Sequence, residues 1–355
     1  MQLGILGLPK SGKTTLFNTL TASHQATDKF SSSGQTNMGT ATVRDSRLEQ
    51  LRDLFHPKRY VPATVQYVDI PGIKRGESAE SIDLGKLKMV DALVNVVRAF
   101  DDPEILHSEG SVDPARDVEM LDLELILADH ELVERRIERL EKAVKRGLTP
   151  EEQKEKALLS DIVLKTLEAE KPLREVELEP DDERRLRGFQ LLSAKPMLVV
   201  INSGEDRAAA DPSVFGVTPK TGTRVVVVSA PIEQEISQLP PDEQKEFLAD
   251  LGLSEPSLDR VTRASYDLLG LISFFTVGED EVRAWTIRRG TPARGAAGTI
   301  HSDIERGFIR AEVVRSDDLL RLKTMAACQK AALLRLEGKE YVMQDGDVAH
   351  FRFNV

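Results

Sequence analysis

A stretch near the start of the chain has the composition and spacing of a phosphate-binding loop. It reads GLPKSGKT, from Gly7 to Thr14, and fits the pattern Gly-x4-Gly-Lys-Ser/Thr at every fixed position. In this pattern backbone N–H groups surround phosphate oxygens, the lysine reaches the β- and γ-phosphates, and the last hydroxyl ligates Mg²⁺. We therefore predict that the chain binds a nucleoside triphosphate with Mg²⁺, with Lys13 as a catalytic residue and Thr14 as a metal ligand. The residues of this loop predicted to contact the nucleotide are Pro9, Lys10, Ser11, Gly12, Lys13, Thr14 and Thr15.

A second motif, VQYVDIPG, supplies a carboxylate at the end of an apolar run. Asp69 is predicted to hold the Mg²⁺ ion, usually through water, and the N–H of Gly72 to contact the γ-phosphate. Small GTPases of the Ras type carry a glutamine after that glycine, which orients the attacking water. Here the residue is Ile73, which can neither donate nor accept a hydrogen bond. The sequence therefore predicts slow intrinsic hydrolysis, or a water-positioning group elsewhere in the chain.

The segment NSGE occupies the place where a guanine-binding protein has Asn-Lys-x-Asp. In that motif the aspartate accepts hydrogen bonds from N1–H and the 2-amino group of guanine, whereas adenine has an acceptor at N1 and no 2-amino group. Asn202 is retained here, but Ser203 replaces the lysine and Glu205 replaces the aspartate. We predict that the pocket prefers adenine or has relaxed specificity, and that the loop at Ser229 and Ala230 closes it. The alternative is an ordinary loop after a strand.

These motifs follow short apolar runs that are rich in β-branched residues. Near-continuous apolarity over a few residues is typical of strands buried on both faces of a parallel sheet. Helical segments separate the first runs, which predicts an α/β fold of the P-loop NTPase type, similar to a G domain, with a mostly parallel sheet. The runs lie at residues 3–6, 64–70, 92–97, 196–202 and 224–230.

A long amphipathic segment interrupts this pattern. Residues 117–147 carry apolar side chains at steps of four and three, with one slip in phase, and a second helical segment follows the break at LTPEEQ. We predict an antiparallel helical hairpin inserted into the sheet domain. The alternative is an ordinary helical subdomain without a partner. After residue 270, strand-like runs around one helical segment predict a small α+β domain.

Composition restricts the classes of partner. The chain of 355 residues has a formal net charge of −11, which disfavours a diffuse basic surface but leaves room for local basic patches. A single cysteine, Cys328, excludes an intrachain disulfide and a cysteine-rich metal site. No apolar run approaches the roughly 20 residues of a membrane span, and the N-terminus has neither a basic segment nor a cleavage site. We expect a cytoplasmic protein that does not bind a membrane.

Two clusters of cations are candidates for contact with RNA phosphates. The first, at Arg288, Arg289 and Arg294, has few acidic neighbours and is slightly favoured. The second lies on the helical hairpin, where interleaved glutamates make a solvated face with salt bridges at least as good an interpretation. The residues of the second cluster are Arg135, Arg136, Arg139, Lys142, Lys145 and Arg146.

Seven segments spread along nearly the whole chain form a recognisable set. They are GILGLPKSGKTTLFNTLT, VDIPG followed by an apolar residue, DPARDVEMLDLELILADHELVERRIERLEK, NSGE, GLISFFTVGEDEVRAWTIRRGT, AAGTIHSDIERGFIRAEV and EGKEYVMQDGDVAHFRFNV. Together they resemble the YchF-type, Obg-like P-loop ATPases of the translation-factor class. The resemblance implies that the chain favours ATP and associates with ribosomes. It also implies a nucleotide-binding domain at residues 1–112 and 190–270, an inserted coiled-coil domain at 113–189, and a TGS domain of ubiquitin-like β-grasp fold at 271–355.

The resemblance implies two further site residues. The family uses a histidine in the loop after the fourth strand, and His107 occupies that position, where it would position or activate water. By its sequence context alone, His107 is a solvated residue of a polar loop. The family also has a threonine in its first switch segment that ligates Mg²⁺. The corresponding stretch DKFSSSGQTNMG departs from the family pattern, and Ser33 takes the threonine position with Thr36 as its rival.

The function expected from these features is a slow, Mg²⁺-dependent, ribosome-associated ATPase that acts as a nucleotide-dependent switch in translation or in a stress response. Two alternatives stay open. One is a translation-associated scaffold that holds nucleotide with little hydrolysis, which the departures in the first switch favour. The other is a GTPase.

Overall fold

The computed structural model of the protein describes residues 1–21, 37–71, 84–144 and 147–354. Six residues named in the sequence predictions lie outside these ranges. They are Ser33, Thr36, Gly72, Ile73, Lys145 and Arg146.

The strands of the described ranges form two six-stranded sheets. The strands are β1 Gln2–Leu6, β2 Asn37–Val43, β3 Arg59–Val61, β4 Ala63–Asp69, β5 Ala92–Ala99, β6 Met197–Ser203, β7 Thr223–Val228, β8 Leu271–Thr276, β9 Glu281–Arg288, β10 Phe308–Arg315, β11 Arg335–Glu337 and β12 Asp347–Phe353. The first sheet has the order β2-β4-β1-β5-β6-β7, and the second has the order β11-β10-β12-β8-β9-β3.

Helices connect and cover these strands. They are α1 Lys13–Thr21, α2 Ser46–Phe55, α3 Leu84–Met89, α4 Pro114–Ala143, α5 Pro150–Leu158, α6 Leu164–Glu168, α7 Pro180–Leu186, α8 Ala230–Gln238, α9 Pro241–Asp250, α10 Ser257–Leu268, α11 Ala293–Ile300, α12 Ser302–Arg306, α13 Ser316–Leu322 and α14 Met325–Lys330. None of them, within the described ranges, combines the length and the apolarity that a bilayer crossing requires.

The first sheet is built on a series of parallel pairs. β1 pairs with β4 and β5, β5 pairs with β6, and β6 pairs with β7. All five predicted apolar runs form strands of this sheet, which confirms the α/β class. Every residue of β5 and β6 is buried, as expected of strands covered on both faces. The edge strand β2 has exposed residues at alternating positions, so its sequence contains no apolar run.

The slip in the apolar phase of α4 marks a change of packing partner. Leu121 and Leu125 belong to the core of the first sheet. Val133 and Leu140, further along the helix, pack instead with apolar residues of α5 and α6. A π-helical turn at residues 159–163 joins α5 to α6 without ending the helix. The predicted pair of packed helices is therefore present, and its first helix is anchored on the sheet.

The second sheet packs against a short helix. β8 and β9 are antiparallel, β12 joins β8 in parallel, and β10 lies between β11 and β12 with antiparallel pairing on both sides. The core of this sheet includes Ala293, Ala296 and Ala297 of α11, whose small side chains allow the helix to approach closely. Phe274 and Trp285 stack within it, with ring centroids 6.4 Å apart.

By their internal contacts, the described residues divide into two compact units. The first comprises residues 1–40 and 66–264, and the second, called here the C-terminal unit, comprises residues 41–65 and the chain from 265 onward. This division differs from the predicted one, which assigns residues 41–65 to the nucleotide-binding domain. The physical reason is that β3 pairs in parallel with β9 and extends the second sheet.

The helical insertion does not form a unit of its own. Asp129 on α4 is buried, and its carboxylate accepts hydrogen bonds from the N–H groups of Leu192 and Ser193 at 2.8 and 2.7 Å, and from the Ser193 hydroxyl at 2.7 Å. These two residues lead into β6. The insertion is thus tied to the chain that carries the NSGE segment.

Candidate nucleotide-binding site

The predicted phosphate-binding loop connects β1 to α1, and its backbone path depends on glycine. Gly7 has a φ of 144°, and a Cβ at this position would lie 2.3 Å from the carbonyl oxygen of Val96 on β5. Lys10 adopts a left-handed conformation with a φ of 61°. Ser11 is buried, and its hydroxyl has no hydrogen-bond partner within the described ranges. An orphaned buried hydroxyl in a glycine-shaped loop fits a site that receives a polar ligand.

Lys13 is the first residue of α1, and its side chain folds back over the loop. Its Nζ donates hydrogen bonds to the carbonyl oxygens of Gly7 at 3.1 Å and of Leu8 at 2.7 Å. The residue is 9% exposed, and burial lowers the pKa of its ammonium to about 8, while the charge of Asp69 acts in the opposite direction. A triphosphate beside this group would favour the charged form, so the lysine is well suited to bind one.

Thr14 and Asp69 are the described residues that fit a Mg²⁺ site. Thr14 follows Lys13 in α1, and the pairing of β1 with β4 sets Asp69 opposite Ile5, just before the loop. Burial raises the pKa of Asp69, while the positive charge of Lys13 acts in the opposite direction. In the part of the chain that the structure describes, no group of three or more acidic, histidine or cysteine side chains could hold a metal. Mg²⁺ commonly takes one or two protein oxygens and completes its shell with phosphates and water, so the pair fits it.

Asn202 lies at the end of β6 and joins the phosphate loop to the loop after β7. Its Nδ2 donates to the carbonyl oxygen of Ser11 at 3.0 Å, and its Oδ1 accepts from the N–H of Ala230 at 3.1 Å. The side chain is buried. A Cβ on Gly12, whose φ is 94°, would lie 2.2 Å from the Asn202 Nδ2. The predicted base-binding asparagine therefore also holds the phosphate loop in shape.

The next residues of the NSGE segment point in different directions. The Ser203 hydroxyl is buried and donates to the carbonyl oxygen of Gly204 at 3.1 Å. Glu205 begins a short 3-10 turn at Glu205–Arg207 and is exposed. The buried serine offers no aliphatic stem of the kind that a lysine at this position would provide. The carboxylate of Glu205 stands in solvent at the edge of the loop.

The predicted closing loop follows β7 directly. Ser229 precedes α8, and its side chain is buried with no hydrogen-bond partner for its hydroxyl in the described part of the chain. Ala230 begins α8, and its N–H is held by Asn202 as described above. Ser11 and Ser229 thus both present buried, unpaired hydroxyls on the two loops that Asn202 connects.

His107 is enclosed rather than solvated, with a side chain that is 5% exposed. Its Nε2 lies 3.0 Å from a carboxylate oxygen of Asp117 on α4, and its Nδ1 accepts from the N–H of Glu109 at 3.2 Å. The acceptor role of Nδ1 places the hydrogen of the neutral ring on Nε2, facing Asp117. Asp117 is shared with the guanidinium of Arg116, at 2.7 Å. Both ring nitrogens of His107 are therefore occupied.

Two arginines that are not among the predicted site residues form hydrogen bonds around this site. Arg98, buried at the end of β5, donates to the carbonyl oxygens of Phe100 and Ile105 at 3.1 and 3.0 Å and so fixes the start of the His107 loop. Arg207 follows the NSGE segment and donates to the carbonyl oxygen of Ala99 at 3.1 Å. The Arg98 contacts are local, whereas Arg207 contacts a residue 108 positions earlier in the chain, so residue type and spacing gave no signal of the second contact.

The predicted cation clusters differ in their pairing. On the hairpin, Arg136 is bound by Glu155 at 2.7 Å, and Lys142 lies 3.5 Å from Glu138, as in the interpretation of a solvated face with salt bridges. In the C-terminal unit, Arg294 donates through Nε to the carbonyl oxygen of Glu305 at 3.3 Å. The residues Arg288 and Arg289 follow each other at the end of β9 and are exposed.

Comparisons with known proteins agree with this architecture. A family model named YchF-GTPase_C, described as a protein of unknown function, matches residues 271–354, and another, described as a 50S ribosome-binding GTPase, matches residues 2–127. The chain is 45% identical to a Bacillus subtilis protein named Ribosome-binding ATPase YchF and 39% identical to an Escherichia coli O157:H7 protein of the same name, with 99% of each chain covered. The solved Schizosaccharomyces pombe YchF GTPase matches with a TM-score of 0.86 at 33% identity, covering 99% of this chain and 97% of that one. The names of these relatives differ on the nucleotide.

Proposed function

The chain belongs to the YchF family, and on that premise we propose that it is a slow, Mg²⁺-dependent ATPase that associates with the ribosome and acts as a nucleotide-dependent switch. The observation that carries the proposal is the joined pair of loops at the end of the first sheet. Asn202 fastens the glycine-shaped phosphate loop to the loop at Ala230, with Lys13 buried beneath. The bacterial relatives that are named ribosome-binding ATPases support the same activity and partner.

The base-binding segment supports adenine over guanine. A guanine clamp needs a carboxylate that meets N1–H and the 2-amino group together, in a pocket that holds the ring edge at a fixed distance. Glu205 is longer than the aspartate of that clamp and is exposed, and Ser203 is turned inward. Adenine has no 2-amino group to satisfy and therefore loses nothing when the clamp is missing.

The residues near the phosphates divide the remaining tasks. Mg²⁺, when bound, neutralises charge on the phosphate oxygens, and Thr14 and Asp69 are the residues that would hold it. Lys13 exchanges its two loop carbonyls for phosphate oxygens and keeps its proton there. The N–H groups of the loop and of the α1 N-terminus orient the triphosphate. Thr14 and Asp69 supply no further polar group that would position the attacking water, so we expect slow turnover.

We assign the positioning of water to His107. For this role, the Nε2–H group must first break its contact with the Asp117 carboxylate. His107→Ala is then expected to lower turnover more than about tenfold while the affinity for ATP stays unchanged, as loss of a general acid–base or water-positioning group does. Asp117→Asn is the matched variant, because it weakens the hold on the ring but keeps the ring itself. If both variants instead lower thermal stability together and leave turnover intact, the histidine serves only to fix its loop.

The nucleotide preference is tested by competition. A fluorescent nucleotide bound to the metal-loaded protein is displaced by ATP and by GTP in parallel titrations. We expect ATP to displace it at concentrations at least about tenfold lower than GTP, which corresponds to roughly 1.4 kcal/mol. Tight binding of GTP with no response to ATP would overturn the ATPase proposal.

The ribosome part of the proposal has its own experiment. The full chain is sedimented with purified ribosomes in the presence of ATP, ADP or no nucleotide, and single-turnover hydrolysis is measured with and without ribosomes. We expect the bound fraction to depend on the nucleotide. Equal and negligible sedimentation in all three states would remove the ribosome as the partner.

A further inference from the structure

A depression in the C-terminal unit is lined almost entirely by charged side chains. It has a volume of about 450 Å³, and its walls are formed by Arg47, Arg289, Arg315, Arg335, Gln344 and Asp345. The arginines come from segments that are far apart in the chain: α2, the end of β9, the end of β10 and β11. Four guanidinium groups and a single carboxylate line the walls. Three further carboxylates, those of Asp45, Asp347 and Glu337, bind three of these guanidiniums from outside the lining, so the positive charge that is not paired belongs to Arg289.

Two of these arginines, Arg315 and Arg335, form ion pairs with one buried carboxylate, that of Asp347. Asp347 is fully buried, and its Oδ1 lies 3.2 Å from the guanidinium of Arg315 and 3.6 Å from that of Arg335. Its Oδ2 accepts from the hydroxyl of Tyr341 at 2.8 Å and from the N–H of Gln344 at 2.9 Å. The carboxylate therefore fixes both guanidiniums without reaching the solvent-facing side itself. Each of the two side chains remains about 40% exposed, at 41% and 42%.

Carboxylates also fix the orientation of the Arg47 side chain. Its guanidinium binds Asp45 through Nε and Nη2, at 3.0 and 2.7 Å, and Asp345 through Nη1 at 2.8 Å. Gly346 makes room for it, because a Cβ there would lie 2.5 Å from the Arg47 Nη1. The orientation of this arginine is thus set before any ligand arrives.

Arg289 completes the depression and differs from the other three. Its side chain is exposed and forms no hydrogen bond or ion pair with any residue of the described ranges. Only its backbone is engaged, through the N–H that donates to the carbonyl oxygen of Gly270 at 2.8 Å. The depression therefore combines three oriented guanidiniums with one uncommitted cation.

The chemistry of the walls points to phosphate rather than to a small organic ligand. Planar guanidiniums bind phosphate oxygens through paired N–H donors, and oriented arginines lose little freedom in doing so. Pockets for small molecules are lined mainly by apolar and aromatic side chains, and no such side chain of the described residues lines this one. A phosphate that belongs to a long polyanion needs no apolar wall, since its sugar and bases stay outside. A chain of net charge −11 would also meet a polyanion only at such a local patch.

We propose that the depression formed by Arg47, Arg289, Arg315 and Arg335 binds a backbone phosphate of RNA. The inference rests on the proposed association with the ribosome and specifies where the C-terminal unit would contact ribosomal RNA. Arg289 supplies a guanidinium that has no other partner among the described residues. Arg47, Arg315 and Arg335, whose orientation is fixed by Asp345 and Asp347, supply the oriented donors. Contacts of this kind are insensitive to sequence and sensitive to salt.

The test uses the full chain and a fluorescently labelled single-stranded RNA of mixed sequence, with affinity measured by anisotropy between about 50 and 200 mM salt. Arg289→Ala is expected to weaken binding about tenfold, as loss of one charged hydrogen bond does, and to reduce the salt slope by about 0.7. Arg310→Ala is the matched control, because Arg310 is an exposed arginine of the C-terminal unit that lies outside the depression and outside both predicted cation clusters, and it should change affinity less than about twofold. Arg315→Lys keeps the charge beside Asp347 but loses the forked donors, and it should also weaken binding.

Competitors distinguish the source of the negative charge. Unlabelled RNA should displace the probe, whereas inorganic triphosphate and a polyglutamate peptide of equal charge should not do so at the same concentration. Equal displacement by the peptide would mean that the depression receives an acidic protein segment, and equal displacement by triphosphate would mean that it receives a free phosphate compound. Either result overturns the RNA proposal.

Sedimentation with ribosomes separates this inference from the proposed function. If the unmodified chain and Arg289→Ala sediment equally at all salt concentrations and bind the RNA probe equally, the depression has no role in RNA binding while the ribosome proposal stands. If the unmodified chain fails to sediment but binds the probe in a way that depends on Arg289, the ribosome proposal fails and the phosphate site stands.

Discussion

The side-chain amide of Asn202 occupies the space that a methyl group on Gly12 would need, with only 2.2 Å between that Cβ position and Nδ2. The amide also bonds the carbonyl oxygen of Ser11 and the N–H of Ala230. One side chain thus determines the shape of the phosphate loop and the position of the base loop together. The contribution of Asn202 to nucleotide binding is therefore expected to be larger than that of a base contact alone.

Asn202→Ala removes both hydrogen bonds and leaves a buried N–H and a buried carbonyl unpaired. Each such loss costs about 1–3 kcal/mol, so we expect nucleotide affinity to fall at least about tenfold and thermal stability to fall with it. A fluorescent nucleotide titration and a melting curve measure the two effects. Ser203→Ala is the control, because its hydroxyl only contacts neighbouring carbonyls and its loss should leave affinity within a few-fold. Normal nucleotide affinity in the Asn202 variant would show that the loops keep their shape without the amide.

Gly12→Ala forces a contact with the Asn202 amide and places a side chain at a φ of 94°. We expect a loss of about 2–4 kcal/mol in the free energy of unfolding and a phosphate loop that no longer binds nucleotide. Gly252→Ala provides the comparison, since Gly252 has a φ of 69° but open space around its Cβ position, and only the backbone cost of about 1–2 kcal/mol applies. Equal losses in the two variants would argue against the steric role of Asn202. Urea unfolding of both variants measures the difference.

The buried Lys13 makes nucleotide binding depend on pH. Its folded-state pKa of about 8 lies below the ordinary lysine pKa of 10.5, so the unfolded chain binds more protons than the native chain between these values. The stability of the nucleotide-free protein should therefore rise with pH through that window. A bound triphosphate favours the protonated lysine, so ATP affinity should fall as pH rises above about 8, by roughly tenfold at pH 9. Calorimetry in two buffers of different ionisation enthalpy would detect the proton uptake.

A control for this titration is available in the same loop. Lys10 is exposed and lies in a left-handed conformation, which asparagine also adopts readily. Lys10→Asn should keep the pH dependence of ATP affinity even if it weakens binding somewhat. A flat affinity between pH 7 and pH 9 in the unmodified chain would contradict the depressed pKa of Lys13.

Asp129→Ala should destabilise the first unit strongly. The substitution leaves three buried donors of Leu192 and Ser193 without an acceptor, and we expect a loss of about 3–5 kcal/mol. Asp161→Ala, which removes an exposed carboxylate on the same insertion, should change stability by less than about 0.5 kcal/mol. Denaturant unfolding followed by circular dichroism compares them. A small effect of Asp129→Ala would mean that the insertion is attached mainly by its apolar contacts.

The sequence was sufficient for the elements whose signal is local. Apolar runs predicted the central strands, and the spacing of glycines and Lys13 predicted the phosphate loop, because burial on both faces and phosphate chemistry each restrict residue type within a few positions. The pairing of His107 with Asp117, and that of Arg207 with Ala99, depend on how the chain folds in three dimensions and leave no periodic trace. The same holds for Arg47, whose partner Asp345 lies 298 residues further along the chain.

The assignment of residues 41–65 to the C-terminal unit affects the order in which parts of the chain can fold during synthesis. The strand that holds Arg59 emerges early during synthesis, but its partner around Glu281 is made only after the whole of the intervening segment 66–264. The early strand therefore stays without its partner until residues 281–283 have been made, and a pairing so distant along the chain is slow to form. A nascent chain stalled before residue 281 should leave this early strand susceptible to protease.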